Sequence, residues 1–112
     1  MSKAKAKGTT AETAVTRWLR DHFPNVERRA LQGTRDTGDI AGLPGVVIEV
    51  KNQTRHDLAG WLGELQTEVD NASATLGLLV IKKRGTTKPE QWYWLIDPRH
   101  ILPLLTTHQK RP

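Results

Sequence analysis

The chain of 112 residues carries 17 Lys and Arg against 12 Asp and Glu, a formal net charge of +5, and no cysteine. This length holds one domain, and the missing cysteines exclude a disulfide scaffold, a thiolate metal site and a cysteine nucleophile. No segment approaches the roughly 20 apolar residues of a membrane span, and no apolar secretory signal follows Met1, so we expect a cytoplasmic protein without membrane contact. A small basic domain most often binds a polyanion, which makes nucleic acid the expected partner.

Both ends of the chain are basic and have little apolar surface to bury. Residues 1–8 alternate lysine with alanine and predict a flexible basic arm, and residues 106–112 predict a flexible basic tail. A single folded domain is expected between them, over residues 9–105. Thr9 and Glu12 have the spacing of a capping box, so the first helix is predicted to begin at Thr9.

The segment after this helix predicts three short strands. A weak alternation indicates a strand over Val26–Leu31, followed by a polar loop over Gln32–Gly38. Gly38–Gly42 and Val46–Lys51 are predicted as two further strands, joined by the turn signal Leu43–Pro44–Gly45. The arrangement is typical of a β-hairpin with a three-residue loop.

A second helix is the clearest predicted element. Asp57 stands where an N-cap is needed, and Glu64 and Glu68 are expected on the solvated face. The apolar side chains recur at helical spacing and form one stripe, made of Leu58, Trp61, Leu62, Leu65, Val69 and Ala72.

Two more strands complete the predicted sheet. Leu76–Lys83 is a nearly continuous apolar run, typical of a strand that is covered on both faces. Gln91–Ile96 is predicted as the last strand, and Asp97 before Pro98 predicts the start of a short closing helix. The order αβββαββ defines an α/β domain, in which a mixed central sheet is flanked by helices.

Asp39, Glu49 and Lys51 are the candidate catalytic residues. In the predicted hairpin Asp39 lies opposite Glu49, and β-carbons of directly opposed residues are about 5 Å apart. The two-residue period of a strand puts Glu49 and Lys51 on one face, while Ile48 and Val50 turn into the core. Two carboxylates and one ammonium group are therefore expected side by side.

Opposed carboxylates repel each other unless one is protonated or both bind a cation. Mg²⁺ takes oxygen ligands and keeps several waters, so Asp39 and Glu49 suit it, with Mn²⁺ as a substitute. A metal-bound water is a nucleophile for phosphodiester hydrolysis, and Lys51 is placed to orient a water or stabilise charge at the phosphate. The alternative interpretation is a surface hairpin whose acidic pair is balanced by one lysine.

Three segments resemble the PD-(D/E)XK nuclease superfamily and, within it, the archaeal-type and phage Holliday junction resolvases. They are Gly8–Glu12 at the first helix, Gly38–Gly42, and Val47–Lys51. The resemblance covers roughly Lys7–Arg84 and implies a restriction-endonuclease-like core with Mg²⁺-dependent hydrolysis of DNA. Gly38 stands where the superfamily pattern has a proline, a replacement that these motifs tolerate.

The resemblance also implies a role for each matching residue. Asp39 and Glu49 would be metal ligands, the Val50 carbonyl a third ligand, and Lys51 the catalytic lysine. Glu12 would be the acid that these resolvases add from the first helix. The alternative for Glu12 is the capping-box partner of the first helix, worth about 1 kcal/mol.

Basic side chains near the predicted site are candidates for phosphate contacts, with a solvated strand end or arm as the alternative. The candidate DNA-binding residues are Lys3, Lys5, Lys7, Arg28, Arg29, Arg35, Lys82, Lys83 and Arg84. Trp92 and Trp94 share a strand face, where core or dimer packing is favoured over base stacking.

Three functions are consistent with these observations. The first is a structure-selective endonuclease that resolves four-way junctions as a homodimer, because a two-fold junction cut symmetrically needs two active sites. The second is another nuclease of phage recombination or repair on the same core, either a nicking enzyme or one that acts on flaps or ends. The third is a non-catalytic DNA-binding module, which would not need all four of Glu12, Asp39, Glu49 and Lys51.

Overall fold

A computed structural model describes residues 3–29 and 38–110 of the chain. The helices in these ranges are α1 (Lys3–Arg20), α2 (Leu58–Ala72) and α3 (Ile101–Gln109). The strands are β1 (Glu27–Arg28), β2 (Ile40–Ala41), β3 (Val46–Lys51), β4 (Leu76–Ile81) and β5 (Tyr93–Ile96). No helix in the described ranges is both long and apolar enough to cross a bilayer.

The main sheet is mixed and has the strand order β3-β4-β5. β3 and β4 are parallel, with Glu49 opposite Leu79 and Lys51 opposite Ile81, and α2 makes the crossover between them. β5 runs antiparallel to β4, and β1 and β2 form a separate antiparallel pair. The predicted mixed α/β domain and its αβββαββ order are confirmed.

Side chains on the two faces of β3 enter different parts of the core. Ile48 and Val50 pack with Val15 of α1, whereas Val47 packs with Leu65 of α2. The predicted alternation along β3 is therefore confirmed, but both faces of this strand are buried. Glu49 lies two residues after Val47, so its side chain is on the same face of β3. It is consequently buried between the sheet and α2 instead of lying at an open surface.

Helix α1 begins at Lys3, not at the predicted Thr9. Alanine and lysine are strong helix formers, so the repeat that reads as an arm extends the helix toward the amino terminus. The capping box is wrong because Thr9 and Glu12 lie inside the helix, and Glu12 pairs instead with Arg28. Most of the predicted arm is thus helical. At the carboxyl end of the chain, α3 continues through Gln109, beyond the predicted domain boundary at residue 105.

The predicted hairpin between β2 and β3 is not formed as a regular ladder. β2 is two residues long and pairs with β1, which covers Glu27–Arg28 among the described residues, 26–29, of the predicted strand. Gly38 and Gly42 flank β2 with φ of 100° and 96°, a left-handed conformation that breaks the extended backbone. A β-carbon on Gly42 would also overlap the main chain of Asn25. The predicted loop Gln32–Gly38 lies outside the described residues except for its last glycine.

Helix α2 is confirmed with its predicted cap. Asp57 accepts a hydrogen bond from the Gly60 N–H at 3.0 Å, and Trp61, Leu65 and Val69 are buried. Leu58, at the first position of the predicted stripe, is exposed. At the amino end of α2, therefore, fewer apolar side chains are buried than the predicted stripe contains.

β5 begins at Tyr93 because the residues before it form a short 3-10 turn, Pro89–Gln91. Trp92 is buried and donates its indole N–H to the Thr86 carbonyl, and Trp94 meets Trp18 of α1 edge to face at 5.4 Å. Both tryptophans thus pack within the chain, in agreement with the core interpretation.

Asp97 is fully buried at the end of β5 and accepts hydrogen bonds from the Arg99 N–H at 3.0 Å and Arg99 Nη2 at 2.8 Å. Burial alone would raise the pKa of Asp97, but the Arg99 hydrogen bonds and charge lower it. The carboxylate therefore contributes stability that is present above about pH 4 and is lost as the pH falls through its lowered pKa. We expect Asp97→Asn to lower the free energy of unfolding by about 1–2 kcal/mol at pH 7, and by less at pH 3.

Urea unfolding at the two pH values measures this difference. Asp70→Asn is the matched control, because Asp70 also contacts Arg99, at 3.2 Å, but is largely exposed, so its loss should cost less than about 1 kcal/mol. An Asp97→Asn deficit that stays the same at pH 3 would show that the cost is one of packing and not of charge.

Candidate active site

The candidate site lies at the carboxyl-terminal half of β3, where this strand meets the residue before β2. Asp39 is joined to β3 by two hydrogen bonds: its N–H donates to the Ile48 carbonyl at 2.9 Å, and its Oδ2 accepts from the Val50 N–H at 2.7 Å. These bonds place the Asp39 carboxylate beside Glu49, as the sequence predicts, although a regular hairpin is absent. These two hydrogen bonds, one from the backbone of Asp39 and one to its side chain, hold the residue beside β3 in the place that a hairpin would give it.

The main chain of Val50 faces Asp39. In a strand, the N–H and C=O of one residue point toward the same neighbour, so the Val50 carbonyl points to the same side as the N–H that reaches Asp39. The predicted third ligand, the Val50 carbonyl, is therefore on the correct edge of β3.

Glu49 is a buried carboxyl group with 7% of its surface exposed. Burial raises its pKa far above the usual range, and hydrogen bonding to Glu68 and the charge of Asp39 raise it further. Its Oε2 atom is buried without a hydrogen-bond partner in the described part of the chain. Without a cation, the surroundings of Glu49 therefore favour its protonated form.

Glu68 is a fourth carboxyl group at the site that was not predicted there. It was expected on the solvated face of α2, but only 3% of it is exposed and it is hydrogen-bonded to Glu49. It follows Trp61 by seven residues and Leu65 by three, which are spacings that return to the same face of a helix. That spacing was the available signal, since a charged residue within an apolar stripe is rarely buried without a partner.

Lys51 is half-buried and ion-paired with Glu64, with 2.9 Å between Nζ and Oε2. Its Nζ also lies 5.7 Å from the centroid of the Trp61 ring. Burial alone would lower the pKa of Lys51, but Glu64 and the charges of Glu49 and Asp39 outweigh it, and the pKa is raised. The ammonium group stays charged, and its partner Glu64 is 56% exposed, so an incoming anion can compete for it.

Glu12 approaches the same group from α1. Its Oε2 lies 3.3 Å from Arg28 Nη1. Burial, and next the negative charge of Asp39, raise the pKa of Glu12 against the opposing effect of Arg28. The four predicted catalytic residues thus form one electrostatically coupled group, to which Glu68 is added.

The predicted phosphate-binding residues do not form one cluster. Lys82, Lys83 and Arg84 follow β4 directly beside the site, since the Lys82 N–H donates to the Lys51 carbonyl at 2.9 Å. On α1, Lys7 lines the same cleft as Lys82, and Lys3 and Lys5 lie in the first turns of the helix. Arg28 pairs with Glu12, and the exposed Arg29 donates its N–H to the Asp39 carbonyl. Arg35 lies outside the described residues.

Residues 3–29 and 38–110 contain no group of three or more Asp, Glu, His or Cys side chains arranged to hold a metal ion. Mg²⁺ does not need one, because it is usually held by one or two carboxylates and keeps several waters. The buried Glu49 Oε2 is an acceptor without a donor, and a cation beside it would satisfy this atom and relieve the repulsion with Asp39. The oxygen donors present, from Asp39, Glu49 and the Val50 carbonyl, therefore fit a hard divalent cation.

Comparison with known proteins gives no match to this chain among family models, curated proteins or solved structures. The chemistry of the site therefore rests on its side chains: a coupled group of carboxyls, a charged lysine, and cations along the adjoining strand end. Such a set can hold a divalent cation and bind a phosphodiester.

Proposed function

We propose that the chain is a Mg²⁺-dependent endonuclease with a PD-(D/E)XK-type core that hydrolyses phosphodiesters in branched DNA, with the Holliday junction as its first candidate substrate. The observation that carries the proposal is the convergence of Asp39, Glu49 and Lys51 at the end of one buried strand. Carboxylates are destabilising in such a place unless they bind something. A divalent cation with a phosphate is the partner that suits both the carboxylates and the lysine.

Asp39, Glu49 and the Val50 carbonyl would hold the metal, which supplies an activated water and charge stabilisation at the phosphate. Lys51 contributes a permanent positive charge that exchanges Glu64 for a phosphate oxygen. Glu12, with its raised pKa, accepts a hydrogen bond from a water or carries a proton at the edge of the site. Glu68 orients the Glu49 carboxyl through their hydrogen bond.

The substrate class is supported by charge. The net charge of +5 and the cations beyond Lys51 suit a polyanion, and phosphate contacts of this kind carry no base readout. These features favour recognition of DNA shape over recognition of base sequence. The proposed enzyme acts as a homodimer in the cytoplasm. A flap- or end-acting nuclease is the alternative, and the basic cleft described below favours it.

Cleavage assays test the proposal directly. End-labelled four-way junction, flapped duplex, linear duplex and single strand are incubated with Mg²⁺, with Mn²⁺ and with EDTA. Paired symmetric nicks in the junction, absent in EDTA, are the expected result. Cleavage of flaps or ends would retain the metal site and change the substrate, whereas tight DNA binding without cleavage in either metal would overturn the enzymatic proposal.

The dimer is tested separately by analytical ultracentrifugation with junction DNA. We expect two chains for each junction at micromolar protein concentration. A single bound chain would contradict symmetric resolution, since one active site cannot cut two strands at the same time.

A further inference from the structure

A basic cleft of about 730 Å³ opens next to the candidate active site. Four parts of the fold form it: α1, the segment between β3 and α2, the residues that follow β4, and Tyr93 at the start of β5. Its lining residues in the described part of the chain are Lys7, Asn52, Gln53, Thr54, His56, Lys82, Lys83, Arg84 and Tyr93. The volume lies within the roughly 300–1000 Å³ of small-ligand sites, which is too little for a duplex but suits a few nucleotides.

The charge of the cleft matches a phosphodiester backbone. It is lined by Lys7, Lys82, Lys83 and Arg84, and none of its described lining residues is acidic. The cleft adjoins the site, because two of its lining residues are neighbours of Lys51: Asn52 follows it in sequence, and the Lys82 N–H donates to its carbonyl. A strand that leaves Lys51 therefore meets cations at once, where each neutralised phosphate contributes to affinity by counterion release.

Tyr93 adds a surface for a base. Its residue surface is 47% exposed, and Lys83 Nζ lies 5.9 Å from the ring centroid. An aromatic ring beside cations is the combination on which unpaired bases stack while their phosphates are neutralised. The amide side chains of Asn52 and Gln53 provide donors and acceptors on another wall of the cleft.

We infer that this cleft binds a single-stranded DNA segment, with its phosphates along Lys82–Arg84 and one unpaired base stacked on Tyr93. A duplex keeps its bases stacked on each other and presents only phosphates to such a surface, so the tyrosine distinguishes single strands from duplex. The inference rests on the proposed function in that the bound segment is the unpaired arm of a branched or frayed substrate.

Binding in EDTA tests the inference without any cleavage. Fluorescence anisotropy measures the affinity of labelled single-stranded DNA and of blunt duplex for the wild-type chain and for Tyr93→Ala. We expect Tyr93→Ala to weaken single-strand binding about 10-fold, the loss of one base–aromatic stack, and to change duplex binding less than 2-fold. Tyr93→Phe, which keeps the ring, should retain most of the single-strand affinity.

Phe23→Ala is the matched control. Phe23 is as exposed as Tyr93, at 49%, but lines a different, apolar groove, so this variant should bind single strands normally. Circular dichroism melting verifies that both variants fold. Unchanged single-strand affinity in Tyr93→Ala, or an equal loss for duplex, would overturn the inference.

The binding test and the cleavage test can fail separately. A wild-type chain that cleaves no DNA in Mg²⁺ but binds single strands through Tyr93 would remove the enzymatic function and leave the cleft assignment in place. A chain that cleaves branched DNA but shows no Tyr93-dependent binding would do the reverse.

Discussion

Replacing Lys51 with alanine is expected to lower the rate of DNA cleavage about 100- to 1000-fold, the usual cost of removing one preorganised charge from the transition state of such a reaction. The charge of this lysine is secured by Glu64 and by the neighbouring carboxyls, which keep its pKa raised. Substrate binding should change only a few-fold, because Lys7, Lys82, Lys83 and Arg84 remain to bind phosphates. Single-turnover cleavage of junction DNA and anisotropy in EDTA measure the two quantities.

The fold should tolerate this substitution. The partner carboxylate of Glu64 is more than half exposed, so their ion pair contributes less than about 1 kcal/mol. Lys88→Ala is the control, since Lys88 is an exposed lysine outside the site and its removal costs the same charge. If Lys51→Ala cut DNA at the wild-type rate, the catalytic role of this lysine would be wrong, and Lys51 would be a structural partner of Glu64.

The parts of the fold with strong periodic signals could be predicted from the sequence. α2 combines an apolar stripe with a cap at Asp57, and the side chains of β3 alternate between two buried faces. Both elements, and the face of β3 that carries Glu49 and Lys51, are therefore predicted correctly. These signals are local, because they depend on which side chains one helix or strand presents. The position of Asp39 next to Glu49 is predicted from a hairpin register, but in the structure two hydrogen bonds to β3 produce it without a regular hairpin.

The errors about which residues become partners came from interactions between segments distant in sequence. Glu12 looks like a local cap partner, but tertiary contact directs it to Arg28, sixteen residues away. β2 pairs with β1 and not with β3, since glycines at both of its ends turn the chain. The spacing of Glu68 places it on the buried face of α2, but its partner Glu49 lies on another element, and no periodicity can show that pairing. Propensity and spacing identify elements, whereas partners are chosen by packing.

Asp39→Asn is expected to abolish Mg²⁺ binding and cleavage without destabilising the metal-free protein. An asparagine amide oxygen can still accept the hydrogen bond that the Val50 N–H gives to Asp39 Oδ2. The substitution also removes the negative charge that raises the pKa of both Glu12 and Glu49, so the repulsion among the carboxyls falls. The melting temperature in EDTA should therefore stay the same or rise.

Thermal unfolding with and without Mg²⁺ provides the measurement, independently of catalysis. At ten times the dissociation constant, bound metal should stabilise the wild-type chain by about 1.4 kcal/mol, which is about 6 °C for a domain of this size, and Asp39→Asn should show no shift. Asp57→Asn is the matched control, because it removes one exposed carboxylate while asparagine remains a good N-cap for α2. A melting temperature many degrees lower in EDTA would mean that Asp39 is structural, and a Mg²⁺ shift that persists in the variant would place the metal elsewhere.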